Sequence, residues 1–98
     1  MTRLVYHERV GDDVQRIVLH LLAHDGQRVD ERVAEIMSAL SLLTQHPLIG
    51  RPAGSGLREL VIGRDARGYV ARYRFDPVVD IVHVLALRAQ RESGFEDD

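Results

Sequence analysis

Apolar residues in this chain change their spacing once, near the middle, and that change dictates the fold class. Up to about residue 46 they recur at helical intervals; from Leu57 onward they alternate or run continuously. Val10, Val14, Ile17, Val18, Leu21 and Leu22 predict one amphipathic helix, ended by the turn cluster His24-Asp25-Gly26. Glu8, Asp12 and Asp13 sit near its start, where the helix dipole favours negative charge. Val29, Val33, Ile36, Met37, Leu40 and Leu43 predict a second helix, which must stop near His46 because Pro47 disfavours helical backbone in the residue before it. The two form a helical hairpin. A short strand at Leu4, Val5 and Tyr6 precedes them.

The segment HPLIGRPAGSG, with Pro47, Gly50, Pro52, Gly54 and Gly56, predicts an irregular loop. Three strands follow, in LRELVIG, YVARYRF and DIVHVLALR, joined by turns at Arg64–Gly68 and Asp76–Asp80. In YVARYRF, Tyr69, Ala71, Tyr73 and Phe75 alternate with Val70, Arg72 and Arg74, so one face is core and the other mixed and cationic. Both faces of the last strand are apolar, which suits a central position. The order β-α-α-β-β-β describes an α+β domain, with the helical hairpin packed on a mostly antiparallel sheet. The 98 residues make a single domain, 1–98, with a modest core.

Charge narrows the function. The chain carries a net −2, yet residues 51–91 hold eight arginines against four acids, and all thirteen basic residues are arginine. A sheet this cationic calls for a polyanion or an acidic protein as partner. Arg58, Arg72, Arg74, Arg88 and Arg91 are the candidates for binding a target or a partner protein. Having no cysteine, the chain can form no disulfide and no thiolate metal site. No apolar run reaches membrane-spanning length and no secretory leader pattern is present, so the expected location is the cytoplasm.

Weighing individual residues removes several catalytic options. His20 and His24 are spaced for a metal, but HExxH is absent between them and no third ligand presents itself; a solvated helix face is the reading, and no metal or cofactor is expected. His83, in an apolar strand, reads as a half-buried or satisfied core residue. Glu59 neighbours Arg58 but points to the opposite face, so a cross-strand ion pair with an arginine of the next strand is expected. Arg72 and Arg74 share a face: they form either a cationic patch or ordinary pairs with Glu59, Asp76 or Asp80. Tyr69 and Tyr73 read as core residues with solvated hydroxyls.

Four segments, in order, carry a family resemblance: HPLIGRP, LREL, YVARYRF, and VLALRAQRESGF. On these the chain resembles the RelE/ParE superfamily of toxins from bacterial toxin–antitoxin systems. The resemblance implies a small cytoplasmic toxin neutralised by a cognate antitoxin. RelE-like members cleave mRNA on the ribosome; ParE-like members poison DNA gyrase. RNA cleavage through the 2′-hydroxyl needs an activated hydroxyl, a cation for the phosphorane and a proton donor. The positions where RelE-like nucleases resemble one another in arginine, arginine and tyrosine fall here on Val70, Ala89 and Phe95; a slip of two would put Arg72 at the first. The resemblance therefore implies a ParE-like gyrase inhibitor with no catalytic residue. The alternative is a ribosome-dependent ribonuclease built on Arg58, Arg72, Arg88 and His83.

Overall fold

The computed structural model describes residues 1–24, 26–64 and 68–91. Strand β1 (Arg3–Tyr6) runs directly into helix α1 (Glu8–His24). The His7 imidazole accepts the Arg9 N–H at 3.3 Å and so caps the helix start. A short 3₁₀ turn, Gly26–Arg28, leads into α2 (Val29–Ser41), and a second, Leu42–Thr44, closes the helical region just ahead of Pro47. Strands β3 (Arg58–Ile62), β4 (Tyr69–Asp76) and β5 (Ile81–Ala89) follow.

The sheet order is β1-β5-β4-β3-β2, where β2 is Arg51–Pro52, with β1 parallel to β5 and every other pair antiparallel. The expected α+β class, hairpin and mostly antiparallel sheet are therefore present. One element departs from the expectation. Arg51–Pro52, read from sequence as loop, forms the two-residue edge strand β2 against Glu59 and Arg58. Pro52 lacks an N–H to donate, which an edge position tolerates.

Both helices pack on one face of the sheet. Val10, Ile17 and Leu21 from α1 meet Ile36 and Leu40 from α2, Leu43, and the inward residues Ile62, Tyr69, Ala71, Tyr73, Val82, Val84 and Leu87. Spacing overcounted this core. Leu22 and Met37 are exposed, because each lies just outside the arc that its helix turns to the sheet.

A β-bulge shapes β5. Tyr73 pairs with Val84 but Arg72 pairs with Ala86, leaving Leu85 as the extra residue. Inward side chains are consequently Val82 and Val84 before the bulge and Leu87 after it. Part of what reads as a two-faced apolar strand is this one-residue slip.

Candidate functional site

The sheet face away from the helices collects the candidate cations. Strand pairing places Arg51, Glu59, Val61, Val70, Arg72, Arg74, His83 and Arg88 there. Glu59 stands directly across from Arg72 and Arg51. Its carboxylate binds Arg51 Nη2 at 3.2 Å through one oxygen and Arg72 Nη2 at 3.4 Å through the other. The cross-strand ion pair expected for Glu59 is therefore formed. Among the described residues, the Glu59 carboxylate is shared between these two guanidiniums.

The rest of the face is graded along the sheet. Arg74 is exposed, stands opposite His83, and forms no ion pair with any described residue. His83 is half-buried, as expected of a histidine in an apolar strand. At the other end Val70 lies opposite Arg88 and is fully buried, clustered with Ala86. Arg88 is half-buried and donates to the Ala89 carbonyl at 3.3 Å. Ala89 packs against the core on the helix side. Arg91 follows the strand and is exposed, close enough for its charge to act on the Tyr69 phenol. Phe95 lies outside the described residues.

Arg58 is separated from the other candidates. It pairs across from Tyr73, on the helix side of the sheet. There its Nη1 donates to the Gly50 carbonyl at 2.7 Å and the Leu48 carbonyl at 3.2 Å. The Gly50 N–H in turn donates to the Tyr73 hydroxyl at 2.8 Å. A Cβ on Gly50 would sit 2.6 Å from the Tyr73 ring and 2.9 Å from the Glu59 carbonyl oxygen, so only glycine fits. The glycine of HPLIGRP thus locks the loop onto the core. The Tyr73 hydroxyl, expected to be solvated, is enclosed: the residue is fully buried. Burial pushes its phenol above the ordinary value of 10, while the Gly50 bond and the Arg58 charge pull the other way without cancelling it.

One buried acid was not legible as such. Asp13, assigned from sequence to the helix dipole, is only 2% exposed. Beyond Val84 the edge of β5 has no β1 partner, and α1 fills the gap. Asp13 Oδ2 accepts the Leu87 N–H at 2.9 Å, and Arg16 donates to the Leu87 carbonyl at 3.0 Å. The two side chains are joined by a 2.7 Å ion pair. Together they supply the donor and acceptor that a neighbouring strand would have offered. The signal was the position of Asp13, one turn after Val10 and one before Ile17 on the buried stripe.

His20 and His24 are exposed and stacked, with ring centroids 4.3 Å apart, and His24 Nδ1 bonds the His20 carbonyl. Among the described residues no group of three or more His, Asp or Glu side chains could hold a metal. None of the described helices is long and apolar enough to cross a membrane.

The sequence profile of the ParE toxins of type II toxin–antitoxin systems matches residues 4–94. This chain belongs to the ParE toxin family. It is also 31% identical over 84 residues to Toxin RelE3 of Caulobacter vibrioides, covering 86% of this chain and 89% of that protein. The fold of this ParE-family toxin is shared with the chromosomal ParDE system of P. aeruginosa, at a TM-score of 0.76 and 20% identity, over 91% of this chain and 96% of that one. The intact E. coli RelBE toxin–antitoxin complex is similar at a TM-score of 0.65 and 14% identity, over 94% of this chain and 100% of that one. The superfamily resemblance and the toxin class are thereby established, and ParE and RelE names occur side by side among the relatives.

Proposed function

We propose that this toxin acts by binding rather than by bond-making, trapping the cleaved-DNA intermediate of DNA gyrase in the ParE manner, and that a cognate antitoxin neutralises it in the cytoplasm. The observation that carries the reading is the burial of Val70 against Ala86. Where RelE-like nucleases resemble one another in a phosphate-stabilising arginine, this face offers a sealed aliphatic side chain. Ala89, at the second such position, supplies no charge and packs toward the core. The slipped alternative, Arg72, is bound to Glu59. Losing one such donor costs ~10²–10³ in rate.

A second reading has its own support. The relative from Caulobacter is named RelE3, and Arg74 stands opposite His83 on an open part of the face. Those two would be the cation and base of a ribonuclease; Arg58, tied to the loop on the other side of the sheet, would take no part.

An antitoxin partner is supported by the similar structures, which are toxin–antitoxin systems. It is supported too by exposed apolar residues on the helices, Leu19, Leu22 and Met37, and by the arginines of the outer face. An acidic amphipathic segment matches both.

Primer extension on mRNA from translating ribosomes tests the choice. With toxin added, the expected pattern equals that of the untreated control. Discrete A-site cuts that vanish on Arg74→Ala or His83→Ala would replace the gyrase reading by the ribonuclease.

A further inference from the structure

The outer face of the sheet carries no described helix, yet part of it is closed to water. Val70 is 0% exposed and Ala86 3% exposed. Strand pairing sets both on the side away from α1 and α2. Val61, directly across from Val70 on β3, is 43% exposed. The face is therefore open at β3 and sealed one strand further on, over β4 and β5. An antiparallel sheet packed on one side only has its other side in water, so the sealed part has a cover of its own.

Arginine stems do not account for it. Arg72 stands across from Ala86, and Arg88 across from Val70. Long aliphatic stems can shade such neighbours while their charged heads stay in water. Here the Nε of both arginines is buried as well, and the Arg72 side chain is only 22% exposed. A further layer lies over the base of each guanidinium. The closure exists in the lone chain, so that layer belongs to the chain itself. The β3–β4 connection does not supply it. Val61 lies one residue from the end of β3 and Val70 one residue from the start of β4. A cover arriving from that connection would shade both.

Chain order offers one segment at the right place. β5 ends at Ala89, beside Val70, and Arg91 follows. Next come Glu92, Ser93, Gly94, Phe95, Glu96, Asp97 and Asp98. Ser93 and Gly94 are residues that permit a reversal of direction. Phe95 can stand up to ~13 Å from Arg91, at ~3.3 Å per residue, whereas neighbouring strands are only ~4.8 Å apart. The composition suits the face: one aromatic ring for the apolar patch, and four carboxylates for the guanidiniums beside it.

We propose that residues 92–98 dock on the outer sheet face, with Phe95 over Val70 and Ala86 and the carboxylates against Arg72 and Arg88, and that this segment shields the arginines from other polyanions. An acidic antitoxin segment drawn to the same arginines must then displace it. The inference concerns the face itself and does not depend on whether the target is gyrase or the ribosome.

The test compares the full-length parent with Phe95→Ser and Phe95→Leu, neither of which alters the charge. In methyl NMR spectra, loss of the ring in Phe95→Ser should move the Val70 and Ala86 resonances. Those of Leu43 and Val82, buried on the helix side, should stay in place. Heparin, a flexible polyanion, probes the arginines. Phe95→Ser should bind it ~10-fold more tightly than the parent, the loss of docking expected when one phenylalanine is no longer buried. Phe95→Leu, which keeps an apolar side chain, should bind heparin within ~3-fold of the parent. Thermal melting should show all three folded. Val70 and Ala86 resonances unmoved by Phe95→Ser would overturn the docking. Heparin affinity equal in parent and Phe95→Ser would overturn the shielding, and with it the proposal. Neither readout involves gyrase, ribosomes or antitoxin, so failure here is separate from failure of the proposed function.

Discussion

Replacing Asp13 with alanine should destabilise this toxin more than any other change to a polar residue of α1. The carboxylate accepts the buried Leu87 N–H at 2.9 Å and pairs with Arg16 at 2.7 Å. A hydrogen bond to a charged group contributes roughly 1.5–3 kcal/mol, and its removal leaves the Leu87 N–H buried without an acceptor. The Arg16 side chain is 42% exposed, so solvent screens the ion pair and its share is below about 1 kcal/mol. The total is about 3 kcal/mol. For a domain of this size that lowers the melting temperature by roughly 10–20 °C. Asp13→Asn keeps one oxygen for the Leu87 N–H but turns its amide NH₂ toward Arg16, losing the ion pair with its hydrogen bond, so it should cost about 1–2 kcal/mol. Urea unfolding of the three proteins measures both values. Asp13→Ala within about 0.5 kcal/mol of the parent would refute the claim that α1 substitutes for a missing strand. Equal losses for Ala and Asn would refute the division between backbone bond and ion pair.

Other expectations are read by simpler means. Gly50→Ala should cost about 1–3 kcal/mol in urea unfolding, because the new Cβ meets the Tyr73 ring and the Glu59 carbonyl; a neutral effect would mean that the loop is not locked there. Burial raises the phenols of Tyr6, Tyr69 and Tyr73 above 10. The unfolded chain therefore releases phenolic protons first, and stability present below pH 10 is lost as pH climbs toward the folded values. Absorbance titration should show no tyrosine ionising at the ordinary value before unfolding, and a folded protein with a normal tyrosine would contradict this. Arg72→Ala/Arg74→Ala should slow antitoxin association and flatten its salt dependence. Rates that keep the parent's dependence on ionic strength would assign these arginines to internal pairing alone.

Element type was legible because each half of the chain obeys one period. Val10, Ile17, Ile36 and Leu40 mark the helices, and Tyr69, Ala71 and Tyr73 mark the inner face of β4. The Glu59–Arg72 pair followed from alternation along neighbouring strands. What stayed hidden depends on contacts distant in sequence. Asp13 looks like any acid near a helix start until Leu87, 74 residues on, supplies the N–H that it accepts. Arg58 looks like a member of the cationic set until strand pairing turns it toward Gly50 and Leu48. The Leu85 bulge is invisible in a run where both faces are apolar. Pro52 pairs at a sheet edge inside a segment whose prolines and glycines all signal loop.

The most direct test of a binding toxin is the state of plasmid DNA after incubation with purified gyrase, ATP and this protein. Trapping predicts a dose-dependent rise in linear plasmid on denaturing the enzyme, with supercoiling blocked, and both effects should be withheld when the antitoxin is added first. Supercoiling that proceeds at the uninhibited rate, with no linear product at a large molar excess of toxin, would contradict the account.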